Sequence, residues 1–202
     1  MRGSDNDIQP SPDVASEDNV ALSPTIDLAS FELLVRQYQP YAFSLAMRFL
    51  CNEADASDVV QESFLRVWRH RDRYNPEQKF STWLYKIVTN LCLDRYRSQK
   101  RSRTWFSSGD RDVILEDLPD ERNWESALSN EQLVEIIQTL SQGLSRKQKL
   151  VFTLRDLQDL GMEEVVDITG MSVASVKTNL HYARKTIRDL LVRRYGIVRS
   201  DL

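Results

Sequence analysis

Apolar residues return at intervals of three and four along most of the chain, and stretches without any period separate these runs. Phe31, Leu34, Val35 and Tyr38 share one helical face, and beyond Pro40 the spacing resumes at Phe43, Ala46, Met47 and Leu50. That pattern predicts two consecutive helices divided by the proline. Asp55 is placed to cap a third helix, with Asp58 three residues on as a variant of the capping box, and Val59, Phe64, Leu65 and Trp68 supply its buried contacts. The polar run RHRDRYNPEQ breaks the period. A fourth helix is expected from about Ser81, with Trp83, Leu84, Ile87, Val88, Leu91 and Tyr96 at helical intervals.

Residues 104–125 hold seven acids, two bases, Gly109 and Pro119 without a convincing period, which reads as a linker. Beyond it, Leu133, Ile136, Ile137 and Leu140 mark one helix and Ser145 caps another carrying Leu150, Val151 and Leu154. A short amphipathic segment from Gly161 to Thr169 follows, then a turn at Gly170, Met171 and Ser172, then Val173, Val176, Leu180, Ala183, Ile187 and Leu190 on one longer helix. Glycine in a three-residue turn between two such helices is the helix-turn-helix pattern. No β-alternation occurs, and only 6 Gly and 6 Pro in 202 residues leave little material for a turn-rich sheet protein. The expected fold class is all-α: two small helical domains joined by a flexible acidic linker. The boundaries are a disordered acidic tail over 1–29, a first domain over 30–101, the linker over 102–125 and a helix-turn-helix domain over 126–195.

The net charge of −3 conceals strong blocks. Residues 1–29 carry 1 base and 6 acids, residues 30–101 carry 12 and 8, residues 102–131 carry 3 and 8, and residues 132–202 carry 11 and 8. Bases concentrate further in residues 66–103, with 11 against 3 acids, and in residues 177–199, with 7 against 1. Fields act over a Debye length of about 8 to 10 Å, so two cationic surfaces outweigh the acidic total in deciding which partners approach. The acidic N-terminus is unlike a signal peptide, and no apolar run reaches the roughly 18 residues of a membrane span. No membrane insertion is expected. Cys51, Cys92, His70 and His181 lack metal-ligand spacing, so neither a zinc cluster nor any other cofactor is expected, and the thiols read as helix-packing residues. Two isolated histidines and scattered acids offer no nucleophile, base and orienter, which speaks against an enzyme.

With the apolar stripe of the last helix turned inward, Ser175, Lys177, Thr178, Asn179, His181 and Arg184 are left outward near its start. These donors and acceptors suit base edges and phosphates in a major groove, and Ser172 as N-cap brings the positive helix end to a phosphate. In the first domain, Asp58, Gln61 and Glu62 fall at i, i+3 and i+4, and Leu65 extends that face by a turn, so it can dock on another helix. The alternative is capping plus a Glu62–Arg66 pair. Downstream, Arg71, Arg73, Tyr74, Lys79, Phe80, Trp83, Tyr85, Lys86, Arg95, Tyr96 and Arg97 interleave rings with cations, the mixture that single-stranded DNA requires. Trp68, Trp83 and Ile87 are expected in the core.

The segment SVASVKTNLHYARKTIRDLL resembles the promoter-reading helix of bacterial RNA polymerase sigma factors of the extracytoplasmic-function type, within the sigma-70 family. The block DVVQESFLRVWRHRDRYNPEQKFSTWLYKIVTNLCLDRYRSQKR resembles region 2 of the same family, in the right order. The resemblance implies a cytoplasmic alternative sigma factor, nucleoid-associated when bound to polymerase, whose partners are core RNA polymerase, promoter DNA (duplex and single-stranded) and an anti-sigma factor. It assigns the polymerase grip to Asp58, Gln61, Glu62 and Leu65, and minus-ten binding to Arg73, Lys79, Phe80, Lys86, Asn90 and Arg97, with Phe80 and Asn90 holding a flipped base. Minus-thirty-five reading falls to Ser172, Ser175, Lys177, Thr178, Asn179, His181 and Arg184. Gly161, Val166, Asn179 and Tyr182 depart from the family's usual Ser, Ala and Arg residues, which alters the expected sequence preference. A helix-turn-helix regulator that never touches polymerase is the alternative, and it leaves the Asp58 face without a purpose. A thiol-based sensor through Cys51 and Cys92 is a further, weaker one.

Overall fold

The computed structural model describes residues 26–106 and 130–196, and among them every regular element is helical. The expected tail over 1–25 and linker over 107–125 lie outside the described residues. Ile26 is a buried core residue and Leu28 already belongs to the first helix, so these residues pack with the first domain. Asp27 caps the first helix, α1 (Leu28–Leu50), by accepting from Ser30 N–H at 2.8 Å.

α1 is one helix, where the sequence predicts two. Pro40 sits on its exposed side, and Leu34, Tyr38, Ala42, Leu45 and Phe49 form one buried stripe running past it. Packing that stripe outweighs the one hydrogen bond the proline removes. Cys51 ends α1 in the left-handed region at φ 51°, returning its N–H to the Met47 carbonyl at 2.8 Å. The cap of α2 (Glu53–Arg69) is Asn52, which accepts from the Asp55 N–H at 2.9 Å, so Asp55 is not the cap. Its carboxylate instead takes Arg95 Nε at 2.6 Å and Gln99, fastening α2 to α3 (Phe80–Phe106). α3 continues to Phe106, past the expected linker start at 102. A 3-10 turn at Arg71–Arg73 links α2 to the loop before α3, with Arg71 donating to the Trp68 carbonyl at 2.8 Å and lying over its ring at 4.2 Å.

The second group comprises α4 (Asn130–Ser141), α5 (Arg146–Phe152), α6 (Met162–Thr169) and α7 (Val173–Tyr195). α5 widens into a π turn over Thr153–Leu157, which hydrophobic spacing did not reveal. Ser145 precedes α5 with Gln148 accepting from its N–H at 3.3 Å, as expected of a cap. Gly170 turns the chain between α6 and α7 at φ +67°; a Cβ there would meet nothing within 4 Å, so backbone conformation alone asks for glycine. Ser172 accepts from Ser175 N–H at 3.2 Å and caps α7. Val165, Ile168, Val176, Leu180, Ala183 and Ile187 close the helix-turn-helix core.

The two groups are packed together. α6 lies against α3 and the π turn against α1, with Gln158 Nε2 donating to Ser44 Oγ at 3.1 Å.

Candidate functional site

On α2, Gln61 and Leu65 are exposed side by side, Leu65 at 49%. Their neighbours are engaged: Asp58 accepts from Arg95 Nη2 at 2.6 Å, and Glu62 pairs with Arg66 at 3.0 Å. On this face an amide and an aliphatic tip are left exposed, at Gln61 and Leu65, between carboxylates that are already paired. Trp68, expected in the core, is half-buried against Phe31 at a ring separation of 5.0 Å.

The expected minus-ten set divides. Arg73, Lys79, Lys86, Asn90 and Arg97 are exposed; Lys79 pairs with Glu164 at 3.4 Å and Arg97 with Asp94 at 2.9 Å. Phe80 corrects the expectation: it is 4% exposed, held by Tyr38, Tyr74 and Trp83 at ring separations of 5.0, 5.9 and 6.0 Å. As the first residue of α3 it plugs the domain core and presents no face to a base. Trp83 and Ile87, expected inside, are half-buried and pack against the core, and the Trp83 ring lies tilted against Tyr74 at 5.2 Å. Trp83, like Tyr74, keeps partial exposure where Phe80 has almost none. One helical step separates the two assignments: Phe80 and Trp83 lie three apart, and only the neighbouring helices decide which turns in.

At the start of α7, Lys177, Thr178 and His181 are exposed, and Ser172 and Ser175 form the cap. The Asn179 amide nitrogen donates to the Ser175 carbonyl at 2.8 Å and to the Ser175 hydroxyl at 3.4 Å, so this side chain is folded back along its own helix. Arg184 is not free: Asp156 takes its Nε and Nη2 at 2.8 and 2.6 Å, a bidentate bond from α7 to the end of α5. Those hydrogen bonds raise the guanidinium's pKa and make Arg184 a brace for α7. Lys177, His181 and Arg184 line an open cavity of about 670 Å³ whose further cations, Arg155, Lys185 and Arg188, the sequence reading left out. Lys185 and Arg188 continue the Lys177 side of α7, and their helical spacing was the available signal, whereas Arg155 comes from the π turn after α5.

Cys92 is buried and its thiol is pushed up to about 12 by desolvation; burial also raises Cys51. Neither is a ready thiolate at neutral pH. Among the described residues no helix is long and apolar enough to cross a membrane.

Residues 34–102 match the family model of sigma-70 region 2, and residues 134–187 that of sigma-70 region 4. The ECF RNA polymerase sigma factor SigW of Bacillus subtilis is 30% identical over 177 residues, spanning 82% of this chain and 90% of the relative. The ECF RNA polymerase sigma-E factor of Escherichia coli K12 is 31% identical over 168 residues, 80% and 86% of the two chains. Among solved structures, CnrH in complex with the cytosolic domain of CnrY superposes with a TM-score of 0.60 at 21% identity, covering 83% of this chain and 90% of that one. The sigma factor RpoE of Bartonella quintana, in complex with the anti-sigma factor NepR, gives 0.60 at 20% identity over 81% and 98%. At that identity the superpositions speak for the fold. With both regions matched in order and relatives aligned over four-fifths of its length, the chain belongs to the ECF RNA polymerase sigma factors, which direct transcription initiation.

Proposed function

We propose that residues 30–101 bind core RNA polymerase through Gln61 and Leu65 of α2, flanked by Asp58 and Glu62, and hold the opened minus-ten strand along α3. The cations at Arg73, Lys79, Lys86 and Arg97 follow phosphates there, while Trp83 stacks on a base and Asn90 reads an edge. Residues 126–195 read the minus-thirty-five element as duplex. The observation that carries this assignment is the start of α7, where Ser172 caps a helix whose exposed Lys177, Thr178 and His181 adjoin a cationic cavity. The factor supplies recognition and leaves the chemistry of RNA synthesis to polymerase, so it is not itself an enzyme, and its place is the cytoplasm and the nucleoid. The similarity to CnrH and RpoE, each solved with a second protein, supports an anti-sigma partner for this chain as well.

Reconstituted run-off transcription tests the whole reading: core polymerase should give promoter-specific transcripts only with the chain present, and transcripts of equal specificity without it would defeat the proposal. Within the C-terminal domain the contacts separate by kind. Phosphate contacts release counterions whatever the sequence, so Lys177→Ala should weaken duplex binding evenly across sequences and lower the salt slope by about 1. Asn179→Ala should instead relax preference at one base pair by about 1 to 3 kcal/mol, because an asparagine amide turned from Ser175 to the groove can bond an adenine edge in a bidentate way. Titrations of duplex libraries at several salt concentrations distinguish the two.

A further inference from the structure

Tyr182 of α7 is 52% exposed and takes no part in the core of the helix-turn-helix. Val176, Leu180, Ala183 and Ile187 form the buried stripe of this helix. At 3.6 residues per turn, Thr178 stands about 170° from the middle of that stripe, with Tyr182 about 40° to one side of it and His181 about 60° to the other. The Tyr182 ring therefore shares the outward face that carries Thr178 and His181. The neighbouring imidazole steadies it there, meeting it edge to face at a centroid separation of 5.5 Å and an interplanar angle of 72°.

The two flanks of this face differ in charge. On the His181 side, Lys177, Arg184 and Arg188 follow one another along α7 and line the cationic cavity together with Arg155. Tyr182 lies on the other side and does not line that cavity; its flank holds Ser175, Asn179 and Thr186, none of them charged. Cations meet phosphates whatever the sequence, whereas an uncharged flank gains little from a backbone and is suited to base edges. A phenol ring has few partners in a major groove. The faces of paired bases are covered by stacking, and of the base edges presented there only thymine carries an apolar group, its C5 methyl.

We propose that Tyr182 is a specificity-determining residue of α7, whose ring covers a thymine methyl in the minus-thirty-five duplex while the opposite flank holds phosphates. The proposal rests on the reading of α7 as the duplex-binding helix and adds to it one base, chosen through contact with carbon. Covering a methyl is worth about fourfold in affinity, from about 0.8 kcal/mol per apolar carbon. No ion takes part in the contact, so salt should leave that factor unchanged.

The test removes the methyl and nothing else. The full-length chain, assembled with core RNA polymerase, first selects its preferred sequence from a pool of duplexes with a randomised stretch. Each thymidine of the selected duplex is then replaced singly by deoxyuridine, which pairs alike and lacks only the C5 methyl. Wild type should lose about fourfold in affinity at one thymine, at low and at high salt. Tyr182→Phe should keep that loss, because the ring is retained. Tyr182→Ala should bind the thymidine duplex about fourfold more weakly, be indifferent to deoxyuridine at that position and select a pool without preference there. Its helicity by circular dichroism and its other sequence preferences should match wild type. If no thymine is sensitive in wild type, or if every sensitive thymine stays sensitive in Tyr182→Ala, the methyl contact is overturned; the second outcome assigns it to Ala174 or Thr178. Lys177→Ala separates this failure from that of the underlying reading. Where Lys177→Ala weakens binding and no thymine depends on Tyr182, only the methyl contact is lost. Where Lys177→Ala also changes nothing, α7 is not the duplex reader and the proposal falls with that reading.

Discussion

Gln61→Ala combined with Leu65→Ala should weaken binding to core RNA polymerase by about 2 to 4 kcal/mol, which is roughly 30- to 1000-fold, while helicity and thermal stability hold. The two side chains are exposed on one face of α2, and the buried face of the helix, Val59, Val60, Phe64 and Val67, is untouched by either change. Their neighbours should matter less as direct contacts. Asp58 is committed to Arg95 and Glu62 to Arg66, so Glu62→Ala alone removes a half-exposed intrahelical pair of the kind worth only about 0.3 to 0.5 kcal/mol. Asp58→Ala should act partly through the fold, by removing one of the two carboxylates that hold Arg95, with Asp55 keeping the other. Competition between the variants and wild type for a limiting amount of core polymerase measures all of these together. If the double variant competes as well as wild type, the anchor is on another face.

The helix-turn-helix was legible because its determinants are local. A glycine held at φ +67°, a serine cap two residues later and an apolar stripe at three and four are all written within 35 residues of sequence. The first domain was legible as helices but not in their joints. Pro40 argues for a break by its own chemistry, yet Tyr38 and Ala42 on either side bury into the same core and α1 continues through it. Asp55 and Asn52 are both competent caps, and the choice went to Asn52 because Arg95, forty residues away, claims the aspartate. Arg184 has the same history: its position on α7 suggests a phosphate contact, and only the approach of Asp156 from the end of α5 shows that it braces the helix. Lys149 was counted as one more base in a cationic block. Its burial against Phe49 and Tyr96 depends on how two domains meet, which no periodicity along the chain encodes.

The largest stability effect is expected at Phe80, and it separates a core residue from a strand-capturing one. Truncating a buried phenylalanine leaves a cavity and forfeits its transfer free energy, together about 3 to 5 kcal/mol. Phe80 meets the conditions for the full loss: it is 4% exposed and rings from three different segments, Tyr38, Tyr74 and Trp83, close over it. Phe80→Ala should therefore lose thermal stability and polymerase binding together, and a template with a premelted bubble should restore nothing. Asn90 is exposed on α3, and Trp83, about two turns earlier on the same helix, is half-buried. Extruding a base costs a few kcal/mol of stacking and pairing, which a ring face and an amide return. Asn90→Ala and Trp83→Phe should fold, bind core polymerase normally and fail on duplex promoter, with the bubble template recovering part of the lost transcription. Thermal melts, polymerase competition and run-off transcription on the two templates resolve the cases. A Phe80→Ala protein of normal stability that is rescued by the bubble would return base capture to Phe80 and require the start of α3 to turn outward when DNA binds.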